Sequence, residues 1–269
     1  MKNYFCIFGS KNNNCYDINS SNQQYTTFNI GFDFKHILKR IDNNQNTLRK
    51  DYIVCKYIIN ARRYIFNLEV STFNVIFKQK VNFFNSKFKN NKNNEESFFL
   101  NCDFNNNLTF SNCSFFNEVN FNDSKFYSDI GFNGGNINDK INFNNSFIQK
   151  NLVINCDTVN NIIFDNISFE NSKSLLSITN ITNKIKSISF KNIIVDGIIN
   201  IQNLKTEKVN FKGSIVTIGA VNPVEFKIDE FENRESALFL KNEAYARNNI
   251  IDALEYKSKE IELHKKESW

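Results

Sequence analysis

Residues 119–148 read VNFNDSKFYSD, IGFNGGNINDK, INFNNSFI, and one pattern, aliphatic-x-Phe-x4-Phe, recurs in them every 11 residues. The inward candidates are Val119, Phe121 and Phe126, then Ile130, Phe132 and Ile137, then Ile141, Phe143 and Ile148. Aliphatic-x-Phe has period two, so both side chains point to one face of a short strand. The next inward residue comes five positions later, across a polar corner, and must face the same interior from another wall. The alternation of five and six residues therefore wraps the chain around an axis. Two motifs, about 22 residues, close one coil, and coils stack at about 4.8 Å with backbone hydrogen bonds between them and Phe ladders inside. Three positions after the first Phe the residue is small (Ser86, Cys102, Cys113, Ser124, Gly135, Ser146). This is a second inward position beside the Phe column, which makes Cys102 and Cys113 packing residues.

Followed outward, motif starts fall at Tyr57, Leu68, Val81, Ser97, Leu108, Val119 and Ile130, and then at Ile141, Leu152, Ile162, Leu176, Ile188, Ile199 and Val209. From Ser97 to Leu152 every step is 11. The irregular steps carry insertions, KNNKNNEE at 89–96 and NSKS at 171–174, expected to bulge from a coil as loops. The motifs starting at Leu176 and Ile199 have Ile in place of Phe, so the aromatic ladder is expected to stop before them. About seven coils give a rod of roughly 34 Å.

The blocks FSNCSF (110–115), FNDSKF (121–126) and FNNSFI (143–148) resemble the FxxxxF unit of the pentapeptide-repeat family, with its small residue two before the second large one. The resemblance covers residues 57–216 and is best over 97–159. It departs from a strict five-residue repeat by one residue in eleven, as a variant group of the family does with 5+6 spacing. It implies a mainly β protein, a right-handed quadrilateral parallel β-helix.

Residues 1–56 read as a polar N-terminal region with a short capping helix at 33–42, where Phe34, Ile37, Leu38 and Ile41 have helical spacing. The β-helix is expected over 57–222. Pro223, the only proline, is expected to end the stacking. Residues 223–269 then form a helical hairpin with its turn at Asn248-Asn249. Ala237, Leu238, Leu240 and Ala244 mark one apolar face, and Ile250, Leu254 and Ile261 the other. This resembles the hairpin that follows the repeats in some bacterial members, where it leads into membrane-spanning helices. A chain that continues past Trp269 into a membrane part is therefore one expectation.

The scarcity of Pro (1) and Gly (8) argues against a hairpin-rich sandwich or barrel. The six cysteines (Cys6, Cys15, Cys55, Cys102, Cys113, Cys156) lack CxxC spacing, and zinc chemistry wants clustered ligands. The apolar run at residues 4–8 is shorter than the roughly 7–15 residues of a secretory segment, and no stretch approaches the roughly 20 apolar residues of a span. A reduced cytoplasmic setting is the expectation.

Asp103, Asp123, Asp129, Asp139, Asp157 and Asp165 invite comparison with polysaccharide-cleaving β-helices, which need convergent acids. They occupy different motif positions and alternate with Lys, so they read as solvated surface. His36 sits among Lys35, Lys39 and Arg40 as a solvated helix residue, far in sequence from His264, the other histidine. Catalytic, metal and cofactor sites are not expected. Over 81–216 there are 13 Lys/Arg against 12 Asp/Glu, close to neutral. Over 33–63 there are eight basic residues (Lys35, Lys39, Arg40, Arg49, Lys50, Lys56, Arg62, Arg63) and three acidic ones. An anionic surface could dock there.

The leading expectation is a non-enzymatic scaffold for protein–protein interaction, with self-association open to it. A topoisomerase-protecting DNA mimic needs an acidic rod, and a hexapeptide acyltransferase needs a six-residue period and usually a catalytic His. Phe121→Asp or Phe132→Asp buries a charge in the column and is expected to abolish the cooperative thermal transition by circular dichroism. Lys125→Ala is expected to stay within about 0.5 kcal/mol of the parent.

Overall fold

A computed structural model describes the backbone of residues 15–19, 26–28, 53–55, 58–66, 71–89 and 97–267, and the side chains of residues 58–63, 74–89 and 99–267. The fold is a parallel β-solenoid of about seven turns, ended by two helices, α1 (Arg234–Ala246) and α2 (Ile250–Glu267). Leu108 lies opposite Ile130, Val119 opposite Ile141 and Ile130 opposite Leu152, so two motifs do close one coil. Each coil has four walls. In the coil starting at Leu108 the inward pairs are Leu108 and Phe110, Cys113 and Phe115, Val119 and Phe121, and Ser124 and Phe126, all at most 3% exposed.

Strand spacing dictates ring spacing. Phe99, Phe121, Phe143, Phe164, Phe190 and Phe211 form one column with centroids 4.8–5.3 Å apart and planes within 14°. A shorter column runs through Phe83, Phe110 and Phe132, and another through Phe77, Phe104 and Phe126. Between columns the rings meet edge to face, as at Phe121–Phe126 (5.9 Å, 65°). Each such pair is worth about 0.5–1.5 kcal/mol beyond area burial. The expectation that the ladder stops before Leu176 is corrected on this wall. Phe190 and Phe211 continue it, while Ile154, Ile178 and Ile201 take the place of Phe on the wall above Phe132.

The corners account for much of the asparagine. In Phe143-Asn144-Asn145-Ser146 the third residue is left-handed, and the same place is taken by Asn85, Asn112, Asn166 and Asn192, with φ of 50–56°. Asn tolerates that region best among residues with a side chain. The amides then bond along the rod: Asn145 Nδ2 donates to Asp123 Oδ1 at 3.1 Å and Asn101 Nδ2 to Asn74 Oδ1 at 2.6 Å. The small inward residue reaches back one coil, as Ser124 Oγ donates to the Phe99 carbonyl at 2.6 Å and Ser146 Oγ to that of Phe121 at 2.9 Å. In two later coils Ile167 and Ile193 fill that position.

Other boundaries move. Ile59, not Tyr57, lies opposite Val81, so the first motif starts two residues later. Within the region read as polar, strands Cys15–Asn19 and Thr26–Phe28 pair in parallel with Ile58–Arg62 and Tyr64–Phe66. Pro223 does not end the stacking: it lies opposite Ile201 in strand Ala220–Phe231, and the ladder runs on to Phe231. That strand belongs to the last coil, whose outer edge meets no further strand among the described residues, so a missing N–H costs little there. The insertion at 171–174 is irregular chain between strands Ser168–Phe169 and Leu175–Thr179, as expected. The helix expected at 33–42 and most of the 89–96 insertion lie outside the described residues.

The end of the rod is closed by the start of α1. Down the column, the amides of Phe121, Phe143, Phe164 and Phe190 donate to carbonyls of the next coil, those of Asn142, Ile163, Ser189 and Asn210. Phe211 N–H instead donates to Ser236 Oγ at 2.7 Å, and Phe239 of α1 stacks on the Phe211 ring at 4.7 Å. Asn233 caps the helix, accepting from Ser236 N–H at 2.9 Å.

Gly135 is left-handed (φ 82°), and a Cβ there would fall 2.0 Å from the Cys113 carbonyl oxygen. Gly135→Ala is expected to destabilise by at least the roughly 1–3 kcal/mol of such strain in urea unfolding. Gly131→Ala meets only the Asn133 amide at 3.0 Å and is expected to stay within about 0.5 kcal/mol of the parent.

Candidate functional site

The acids of the repeat region do not converge. Asp123, Asp139 and Asp157 are exposed. Asp129 accepts from Asn151 Nδ2 at 2.9 Å, and Asp165 accepts from the Lys191 amide and faces its ammonium at 3.3 Å. Asp103 corrects the reading of all six as solvated: it is 8% exposed, on a wall where Lys125 is its neighbour in the next coil. Among the described residues, no three His, Cys, Asp or Glu side chains are placed to hold a metal ion. Cys102, Cys113 and Cys156 are buried. Burial pushes the Cys113 and Cys156 thiols up to about 12, which removes them as nucleophiles near neutrality. His36 lies outside the described residues.

Of the eight basic residues expected to meet an anionic surface, Arg62 and Arg63 are described, and both are exposed. The Arg62 guanidinium lies over the Phe84 ring at 5.0 Å, and Arg63 forms a left-handed corner (φ 60°). Lys35, Lys39, Arg40, Arg49, Lys50 and Lys56 lie outside the described side chains.

Two surface features stand out. The first is a trough of about 830 Å³ along the outside of the Phe77–Phe104–Phe126 wall. Lys78, Asn105, Tyr127, Gln149 and Glu170 each follow the inward residue of that wall, one per coil, and all line it. Their column is held by the lattice itself: the amides of Asn105, Tyr127, Gln149 and Glu170 donate to the preceding coil's Phe77, Phe104, Phe126 and Ile148 carbonyls at 2.9–3.1 Å. Five coils span about 19 Å at the strand spacing. Asp103 and Glu170 both line the trough, three coils apart, roughly 14 Å by the same spacing. Paired carboxylates of glycosidases stand about 5–9.5 Å apart, a closer spacing than these two positions have along the rod. The column could have been found in the sequence, because its members share the position just after the second inward residue of a motif.

The second feature is the outer face of α2. The expected face of Ile250, Leu254 and Ile261 points to solvent, and with Ile251 these side chains are 46–80% exposed. The buried side of α2 is instead Ala253 and Tyr256, with Leu263 packed against the core. The reason is steric and electrostatic. Ala253, together with Ala237 and Ala244 of α1, is fully buried and small enough to let the helices close, and Tyr256 meets Phe231 edge to face at 5.7 Å. Glu260 accepts from Lys241 Nζ at 2.6 Å and from Arg234 Nη2 at 3.3 Å, which requires the Glu260 side to face α1. The turn at Asn248-Asn249 is as expected, with Asn248 left-handed (φ 58°) and Asn249 Oδ1 accepting from Asp252 N–H. No described helix is long and apolar enough to cross a membrane.

No family model, curated protein or solved structure matches the chain.

The Lys241 hydrogen bond, followed by Lys241 and Arg234 charge, holds the Glu260 carboxyl below its usual range. A lowered folded pKa means this contribution is present above the ordinary carboxylate value, about 4.3, and is lost as pH falls through the lower folded value. Acidification towards pH 3 is therefore expected to loosen α2, seen as earlier melting of helical circular dichroism. Glu260→Gln is expected to melt earlier at pH 7 and to lose part of that acid dependence.

Proposed function

We propose that the chain is a non-enzymatic β-solenoid scaffold of the pentapeptide-repeat type that engages a protein partner through the outer face of α2. The observation that supports this is the solvent-facing stripe of Ile250, Ile251, Leu254 and Ile261 on a helix already anchored by its opposite side. Contiguous exposed apolar side chains with a polar rim mark interaction surfaces. The rim here has both signs, with Lys257 and Lys265 beside Glu255 and Glu262. An apolar strip with charges of both signs around it has the make-up of a protein interface, read as anchors at helical spacing in a partner's groove. An anionic membrane is a poorer match, because α2 carries five carboxylates (Asp252, Glu255, Glu260, Glu262, Glu267) against four lysines. The buried thiols suit a reducing, cytoplasmic setting.

DNA mimicry is the second reading, and the charge balance of the rod opposes it: thirteen basic and twelve acidic residues over 81–216 make no polyanion. A gyrase supercoiling assay is expected to show no protection.

The leading reading is tested by photocrosslinking from position 251 in the native cell, comparing the parent with Leu254→Asp in the same background. A discrete protein adduct that Leu254→Asp reduces at least tenfold, with an unchanged thermal midpoint, is the expected outcome. No adduct, an adduct indifferent to Leu254→Asp, or crosslinking to lipid instead would overturn it.

A further inference from the structure

The lateral trough is independent of the helical end of the rod, and its chemistry is specific enough to name a ligand class. We propose that it binds a neutral, linear oligosaccharide laid along the rod axis.

Three observations converge. The first is shape. The trough crosses five coils, and its floor repeats once per coil because the wall's backbone is in unbroken parallel register from Phe77 to Phe169. A site that repeats along an axis fits a polymer that repeats along its length.

The second is the functional groups. Asn105, Gln149, Asn151 and Asn171 line the trough with side-chain amides, which both donate and accept. That is the complement of hydroxyl groups, which do the same. Asn151 spends one N–H on Asp129, and Asn171 Oδ1 already accepts from the Lys173 amide. Tyr127 sits midway in the column, half-buried, with its ring held against Phe147 at 5.9 Å. It supplies one fixed flat apolar face with a hydroxyl at its tip, suited to the C–H face of a sugar ring.

The third is charge. Lys78, Lys150 and Lys173 line the trough together with Asp103 and Glu170. Asp103 in the second coil and Glu170 in the fifth repel a polyanion, and Lys78 in the first coil with Lys150 and Lys173 further along repels a polycation. A ligand without charge along its length meets neither penalty.

An extended peptide is disfavoured by the backbone. Peptides that add to a sheet need an unpaired strand edge, and here the floor strands Asp103–Phe104, Lys125–Phe126 and Phe147–Ile148 are each paired on both sides. Single-stranded nucleic acid calls for a cationic groove with successive aromatic platforms, and the column holds one aromatic residue, Tyr127, and a carboxylate.

The test is isothermal titration of the full chain with cellohexaose, maltohexaose, chitohexaose and xylohexaose, with hexagalacturonate and a dT12 oligonucleotide as charged comparators. Tyr127→Ala and Gln149→Ala are titrated in parallel, and their thermal midpoints are checked against the parent. The expected result is saturable binding of at least one neutral hexasaccharide, weakened at least tenfold in Tyr127→Ala and several-fold in Gln149→Ala. It is expected to change little between 50 and 300 mM salt and to be unaffected by Leu254→Asp. Absence of binding by all four neutral chains, binding indifferent to both variants, or salt-sensitive binding of the charged comparators alone would overturn the proposal. Because Leu254→Asp lies on the other surface, failure here leaves the protein-docking reading standing, and the reverse also holds.

Discussion

One coil must lay its rings on the rings of the coil below. Parallel strands fix the axial step, and a phenyl ring stacked face to face on its neighbour fits that step, so the backbone lattice and the aromatic column impose the same repeat. The column from Phe99 to Phe211 satisfies both at once. A substitution in it disturbs two coils as well as its own, which makes large-to-small changes there cost about 3–5 kcal/mol. The corners follow from the same requirement. The corner that follows the first large inward pair of each motif needs a left-handed residue, supplied mostly by Asn, with Asp123, Gly134 and Gly213 and, at the two ends, Arg63 and Glu225. The Asn side chains then bond to the same position one coil away, so the exterior is ordered at the period of the interior.

A stacked rod has the problem that its last coil exposes amides and a ring. The chain answers with side chains rather than another strand. Ser236 provides the oxygen that a next coil's carbonyl would have offered, Phe239 provides the next ring, and Asn233 both caps the helix and donates to Asn210 Oδ1 at 3.0 Å. Capping and docking are thus one set of hydrogen bonds. The geometry also decides which face of α2 is spent on the rod and which is left to solvent. Ala253, Tyr256 and Glu260 turn inward because they fit against α1 and Phe231, and the larger aliphatic residues are left outside.

What was legible in the sequence was the part governed by period. The strict step of 11 from Ser97 to Leu152 gave the coil, the inward columns and the buried small position. The parts governed by partner geometry were less accessible. Tyr57 and Ile59 are both large and apolar two residues apart, so only pairing with Val81 decides between them. Pro223 read as a terminator because its missing N–H matters within a sheet, yet in the last coil it does not. Ile250, Leu254 and Ile261 formed the better apolar stripe by spacing, and the buried face was chosen by Ala and Glu contacts that hydropathy does not weigh. The trough column is marked in the sequence only by a shared motif position, since Lys78, Asn105, Tyr127, Gln149 and Glu170 have no residue type in common. The left-handed Asn was visible in the sequence as Phe-x-Asn followed by a small residue.

The central claim is that the rod and the hairpin form one lattice, with Ser236 standing in for the next coil. Amide hydrogen exchange at single-residue resolution tests it most directly. The Phe211 amide is predicted to exchange as slowly as those of Phe121, Phe143, Phe164 and Phe190, and to become fast in Ser236→Ala while Phe121 stays protected. A Phe211 amide that exchanges at an exposed rate in the parent, or is indifferent to Ser236→Ala, would contradict the account.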